Sequence, residues 1–432
     1  MTIDLAADAA PARTAPRPWR WVPTLYFAQG VPYVVVMTLA VVMYKNLGIS
    51  NTEIALYTSW LYLPWVITPL WSPLVELLAR KRVWIVALQF VLGAALAMVA
   101  LALPGPRYFQ LTLAVLWLLA FASATHDIAA DGYYMLALPE RTQAAFVGVR
   151  STFYRLAMIA GQGGLVVLAG LLIDSTGNPR TAWAIVFGVL AVVFVLAGTY
   201  HALVLPRPAA DAVTPRGTPL WQGFVAVFVA FFRRGDIARV LAFLLLYRFA
   251  EAQLLKLVTP FLLDPRAVGG LGLRTQDVGI AYGTVGVAAL TLGGLLGGWV
   301  ISRGGLQKLL WPLLIAMHLP NVVFVLLALA QPQSLALVSA AIAVEQFGYG
   351  FGFTAYMVFM LMVAQGPHRT AHYALCTGFM ALGMMLPGMA AGWLQEQLGY
   401  TNFFIWVCIA TIPSFVAAAL IRIEPGFGKR DL

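Results

Sequence analysis

Long apolar runs alternate with short polar breaks along the whole chain. Hydropathy, cut at Pro, Gly and charge, gives twelve runs at residues 22–44, 52–78, 82–103, 108–137, 144–173, 180–204, 238–263, 275–301, 306–330, 335–365, 370–395 and 400–421. Each is long enough to cross a bilayer as a helix, which takes about 20 residues. Almost none carries the polar face that a surface helix of a soluble protein needs. The pattern predicts an all-α membrane protein with twelve transmembrane helices. The longest polar stretch, "LPRPAADAVTPRGTPLWQGF", follows the sixth run, and its Pro, Gly and charge mark it as a linker. The expected organisation is a cytoplasmic disordered tail at 1–20, a six-helix bundle at 21–204, a cytoplasmic linker at 205–237, a second six-helix bundle at 238–422 and a cytoplasmic tail at 423–432.

The two bundles are expected to be repeats. "LGISNTEIALY" from residue 47 matches "LGLRTQDVGIAY" from residue 271, an offset of 224. "PERTQAAF" from residue 139 matches "PHRTAHYA" from residue 367, an offset of 228. Near-constant offsets imply duplication, a common construction of secondary transporters, which bind substrate between the halves near the midplane.

Composition agrees. The chain is 61% hydrophobic and 10% charged, where a soluble protein carries about 25% charged residues. The first twenty residues lack the apolar core of a signal peptide. Cys376 and Cys408 sit in separate apolar runs, so neither a disulfide framework nor a metal site is expected, and no cofactor is. The net charge of +10 is not read as nucleic-acid binding, because the bases fall in loops and tails. With a cytoplasmic N-terminus, 19 of the 27 Lys and Arg lie on the cytoplasmic side, five face outward and three lie within the membrane. That asymmetry orients both termini and the linker to the cytoplasm.

The chemistry concentrates where charge interrupts an apolar run. "ATHDIAADGYYM", residues 124–135, places His126, Asp127 and Asp131 inside the fourth run. An unpaired charge at the bilayer centre costs at least about 2.5–3.5 kcal/mol. In a tight hairpin of the fourth and fifth helices, residues at equal depth have a constant sum, which sets Asp131 opposite Arg150 and Asp127 opposite Arg155. One reading is a static double salt bridge between the helices. The other is proton carriage or binding of a charged substrate, since an apolar isostere would hold a hairpin as well as a buried pair. His126 favours proton work, because imidazole titrates near physiological pH; a helix–helix hydrogen bond is the alternative.

The seventh run adds Arg248, Glu251, Gln253 and Lys256, and the tenth adds Glu345, Gln346 and Tyr349. Glu251 joins the proton-coupling candidates, and Arg248 or Lys256 is the expected partner of Glu345. Gln29, Tyr33, Tyr133, Tyr134, Tyr154, Glu345, Gln346 and Tyr349 are the expected cavity residues. Gly30 and Pro32 are expected to break the first helix. "GYGFGF" lacks the strand and Lys of a phosphate loop and is expected to permit close helix packing. After the second run, Glu76 at a helix C-terminus with Arg80, Lys81 and Arg82 beyond it suggests a pair made in one state and broken in another; Arg303 holds the equivalent place in the second half.

These motifs are similar to those of a known family. "YFAQGVPY", "LWSPLVE", "HDIAADGYYM" and "GVRSTFYR" resemble the AmpG-type muropeptide permease group of the major facilitator superfamily across essentially the whole chain. Gly30 and Pro32, Trp71–Ser72–Pro73 with Glu76, Asp127, Asp131 and Arg150 occupy the group's positions, although Glu76 stands where the group usually has Asp. The resemblance implies proton-coupled import of cell-wall muropeptides or amino sugars across the bacterial inner membrane. It also implies that Glu76 and its bases lock the outward-open state. A monomer is expected, with protons, a small-molecule substrate and the lipid bilayer as partners. Siderophore or other organic-solute uptake is the alternative cargo. From other classes, a substrate-sensing receptor or an intramembrane enzyme is the alternative; short loops and the lack of a nucleophile–base pair argue against an enzyme.

Overall fold

The computed structural model describes residues 18–209, 211, 220–366 and 368–429. Every regular element among them is helical. Nine helical runs have the length and apolarity to cross a bilayer, from Pro18–Asn46 to Arg369–Leu420. The last is two spans, because Gly399 within it has φ 72° and ψ 167°, a left-handed conformation that suits a residue without Cβ. Two further spans are broken helices, the second as Asn51–Trp60 and Leu63–Leu78 and the seventh as Ile237–Leu246 and Phe249–Leu263. Divided in this way, the described helices are consistent with the twelve expected spans.

Local chemistry sets the ends. Ser50 accepts a hydrogen bond from the Glu53 N–H at 3.2 Å and caps the second span. Gly177 ends the fifth span with φ 65°, and Asn178 Oδ1 caps the sixth through the Arg180 and Thr181 N–H groups at 2.9 and 3.4 Å. The linker holds an additional helix, Leu220–Phe232, where "LWQGFVAVFVAFF" is apolar enough to pack. Residues 1–17, 210, 212–219, 367 and 430–432 lie outside the described residues.

The first span differs from expectation. It stays helical through Gly30 and Pro32 and then widens into a π-turn at Val35–Leu39. Proline lacks an N–H and crowds the preceding turn, and a wide turn beyond it absorbs the mismatch without breaking the rod. The fifth and eighth spans carry similar wide turns, at Ala160–Leu165 and Gly279–Gly286, which pack on each other. A Cβ at Gly283 would strike the Gln162 carbonyl. "GYGFGF" packs as expected: a Cβ at Gly348, Gly350 or Gly352 would collide with the ninth or eighth span.

The main clusters of buried apolar side chains are each drawn from one half of the chain, two from the first and two from the second. The wide turns of spans five and eight pack across the halves, and most of the polar contacts between the halves gather at one end. Lys45 Nζ lies 2.6 Å from Asp264 Oδ1. Tyr400 OH donates to Asp264 Oδ2 at 2.5 Å, and Asn51 Nδ2 donates to Gln395 Oε1 at 2.7 Å. Thr52 Oγ1 donates to Glu396 at 2.6 Å and Gln276 Nε2 to Asp174 at 2.7 Å. Gly392 allows the Asn51 backbone to touch the eleventh span, where a Cβ would collide with it.

The opposite end is held within each half. Asp211 Oδ1 and Oδ2 accept from the Lys81 and Arg82 N–H groups at 2.8 and 3.0 Å, capping the third span. Arg82 Nε donates to the Leu205 carbonyl at 3.2 Å, and its Nη2 to the Ala202 carbonyl, closing the C-terminus of the sixth. Arg234 Nη1 donates to the Val363 carbonyl at 2.6 Å.

Candidate functional site

Between the halves lies a cavity of about 680 Å³. Spans one, two, four and five wall one side, and spans seven, eight, ten and eleven the other. Of the residues named from the sequence, Gln29, Tyr33, Asp131, Arg150, Tyr154, Arg155, Arg248, Lys256, Gln346 and Tyr349 line it. Tyr26, Tyr62, Gln162 and Tyr282 join them. Such a wall offers tyrosine rings, amides and charges in one water-accessible space.

The expected Asp131–Arg150 contact is present, with Arg150 Nη2 2.9 Å from Asp131 Oδ1. Tyr26 OH donates to the same oxygen at 3.0 Å, and the Arg150 guanidinium covers the Tyr26 ring at 4.5 Å. The Asp127–Arg155 pair is not formed. Asp127 Oδ2 instead accepts from Trp65 Nε1 at 3.0 Å, and Arg155 Nη1 reaches Thr291 Oγ1 at 3.4 Å. The reason is the first span. It packs against both the fourth and the fifth, so the hairpin meets near its turn and parts at the depth of Asp127.

Further expectations are corrected. His126 faces the third span, where its Nε2 lies 3.1 Å from Gln89 Nε2, and Gln89 in turn meets His201 Nδ1 at 2.8 Å. It is an interior hydrogen-bonding residue, 1% exposed. Tyr133 and Tyr134 are buried outside the cavity lining and donate to the Pro206 and Gln143 carbonyls at 2.6 and 2.5 Å, with the Tyr134 ring under the Arg150 guanidinium at 5.0 Å. Two residues further along a helix is about 200° of rotation, so Tyr133 points away from Asp131. Glu345 meets neither Arg248 nor Lys256: its Oε2 accepts from Gln346 Nε2 at 2.9 Å. Arg248 donates to Tyr349 OH, and Lys256 Nζ donates to Thr58 Oγ1 at 2.9 Å. Glu251 and Glu345 are fully buried behind the wall, and neither Glu251 oxygen has a hydrogen-bond partner among the described residues.

Of the expected lock, the Glu76 side chain lies outside the described residues. Arg80 is exposed, and the Lys81 stem fills the space beside Gly132. Arg82 is engaged with the sixth span, and Arg303 stacks over Trp299 of its own helix at 4.1 Å. No group of three or more His, Cys, Asp or Glu fit for a metal occurs among the described residues.

Sequence reasoning missed Tyr26 as the second partner of Asp131 and Trp65 as the partner of Asp127. It missed the latch of Lys45, Asn51, Asp174, Asp264, Gln276, Gln395 and Tyr400 entirely. A polar residue at each loop-side helix end was the available signal.

The chain is similar to the anhydromuropeptide permease of Escherichia coli (strain K12), 26% identical over 359 residues that cover 82% of this chain and 69% of that protein. It is also 26% identical to the putative transporter AmpG 4 of Rickettsia conorii over 90% of this chain and 93% of the relative. Among solved structures, the nucleoside transporter NupG superposes with a TM-score of 0.67 at 16% identity, covering 93% of this chain and 98% of that one. A bacterial homologue of the human lysosomal transporter Spinster, inward-facing and unoccupied, gives 0.64 at 17% identity over 95% of this chain and 99% of that one. At these identities the structures share the fold alone. The Major Facilitator Superfamily profile matches residues 24–365, and the chain belongs to that superfamily as a multi-pass membrane permease of the AmpG type.

Proposed function

We propose that the protein is a proton-coupled importer of muropeptides or cell-wall amino sugars, working by alternating access in a bacterial inner membrane with both termini in the cytoplasm. The observation that carries this reading is the cavity between the halves, closed at the Lys45–Asp264 end and bearing the Asp131–Arg150 pair in its wall. With the basic loops cytoplasmic, the closed end is external and the conformation inward-facing. The relatives named for muropeptides supply the cargo class.

A mechanism follows from the wall. A charged Asp131 holds Arg150 and Tyr26, which ties the fourth span to the fifth and first. Protonation removes the negative charge that holds Arg150, so the three spans lose a common anchor. Asp127 holds Trp65 of the second span, and that span also packs against the eleventh in the other half. A proton on Asp127 would therefore be felt where the halves meet. Membrane carboxylates of this kind are expected to serve ion pathways.

Proteoliposomes under an imposed inward proton gradient test this, with labelled GlcNAc-anhydroMurNAc as cargo. Gradient-driven uptake that falls in Asp127→Asn or Asp131→Asn supports the reading. Uptake that ignores the gradient and survives both changes removes proton coupling. No wild-type uptake removes this cargo and turns the test to siderophores.

A further inference from the structure

The charges on the cavity wall do not balance. Four cations face the space, Arg150, Arg155, Arg248 and Lys256, but Asp131 is the one carboxylate among its described lining residues. Asp131 is taken by Arg150. The other three bases make no ion pair with a carboxylate among the described residues.

These three are not equally occupied. Arg248 donates to Tyr349 OH, lies over the Phe353 ring at 4.8 Å, and has Glu251 one turn along its own helix. Lys256 donates to Thr58 at 2.9 Å and lies over the Tyr62 ring at 5.1 Å. Among the described residues Arg155 makes a single long hydrogen bond, 3.4 Å to Thr291, from a group with five donors. Beside it stands Gly294, where even an added Cβ would stay 3.9 Å from Arg155 Nη2. Its planar fork matches a carboxylate through two parallel hydrogen bonds. Tyr154 and Gln162 of the same span, with Tyr33, Tyr282 and Gln346, line the same cavity with rings and amides.

We propose that Arg155 is the anchor for a carboxylate on the transported molecule, so that the site selects organic acids with a polar, ring-bearing body. This rests on reading the cavity as the transport site. Arg248 and Lys256, on the seventh span of the other half, set the attractive field around that anion. An anion held by Arg155 sits between a helix of the first half and Thr291 of the second, so both halves sense its arrival.

The test compares uptake of GlcNAc-anhydroMurNAc with uptake of the same sugar whose lactyl carboxylate is converted to the carboxamide. The proposal expects wild type to favour the acid. In Arg155→Gln the KM for the acid should rise about ten- to hundredfold, with little change for the amide. Arg155→Lys keeps the charge without the fork and should fall between. A preference for the acid that persists in Arg155→Gln, or a wild type indifferent to the exchange, overturns the proposal. If wild type takes up neither sugar, the muropeptide reading fails, and the subsite is judged separately by heat stability in detergent. There, N-acetylmuramic acid should stabilise wild type more than its carboxamide does, and this difference should vanish in Arg155→Gln. Equal shifts, or none, overturn it.

Discussion

The two ends of the molecule are built on different principles. At the closed end the contacts cross between halves: Lys45 with Asp264, Asn51 with Gln395, Thr52 with Glu396, Gln276 with Asp174. At the opposite end the described contacts stay inside a half, with Asp211 on the third span and Arg82 on the sixth. The first kind is a set of modest polar contacts that water can replace, since a typical hydrogen bond contributes about 0.5–1.5 kcal/mol net. The second kind ties helix ends together and keeps each half rigid. A molecule whose halves rock needs both, a latch that opens and bodies that do not deform.

Four changes would break or sharpen this comparison, from the largest effect on transport to the smallest. Gly392→Leu puts a side chain into the Asn51 backbone, where overpacking costs about 1–3 kcal/mol even in softer surroundings. The closed end should no longer shut, and uptake should drop to background while the protein still elutes as a single folded species. Asp131→Asn leaves Arg150 without its counter-charge in a site whose acid side chain is 44% exposed. That exposure sets the loss at the low end for a truncated charge pair, about 2 kcal/mol or about thirtyfold in gradient-driven uptake. Initial rates with and without the gradient measure it.

Asp264→Asn removes the charge opposite Lys45 and weakens the Tyr400 contact. It should shift the population away from the inward-facing state by about tenfold, read as faster labelling of a cysteine placed at Thr52. His126→Gln should change uptake per folded molecule less than about twofold, a small effect of the kind expected away from the working site. It should lower heat stability, because Gln89 loses a buried partner. A large transport defect in this variant would return His126 to the proton pathway.

Sequence distance decided what could be read beforehand. Apolar runs are a periodic feature, and the long helices follow them. Asp131 and Arg150 were legible because they flank one turn, where hairpin geometry is fixed by the chain itself. Four to five residues deeper the same rule failed for Asp127 and Arg155, since the first span packs against both helices and they part. Trp65 as the partner of Asp127 comes from another helix, and no local pattern points to it. The latch joins residues from opposite halves, so each member reads locally as an ordinary loop-side polar residue. Tyr133 was misplaced because adjacency in sequence is not adjacency on a helix face, whereas Tyr134, three residues from Asp131, does pack against Arg150.

Alternation of the two ends is the central claim, and paired spin labels measure it most directly. With Cys376 and Cys408 exchanged for alanine, one pair at Ser175 and Asn402 reports the closed end, and another at Arg141 and Lys308 reports the open end. On adding substrate in a lipid bilayer under a proton gradient, the account predicts that the first distance lengthens as the second shortens. Two distances that stay fixed, or that change in the same direction, would contradict it.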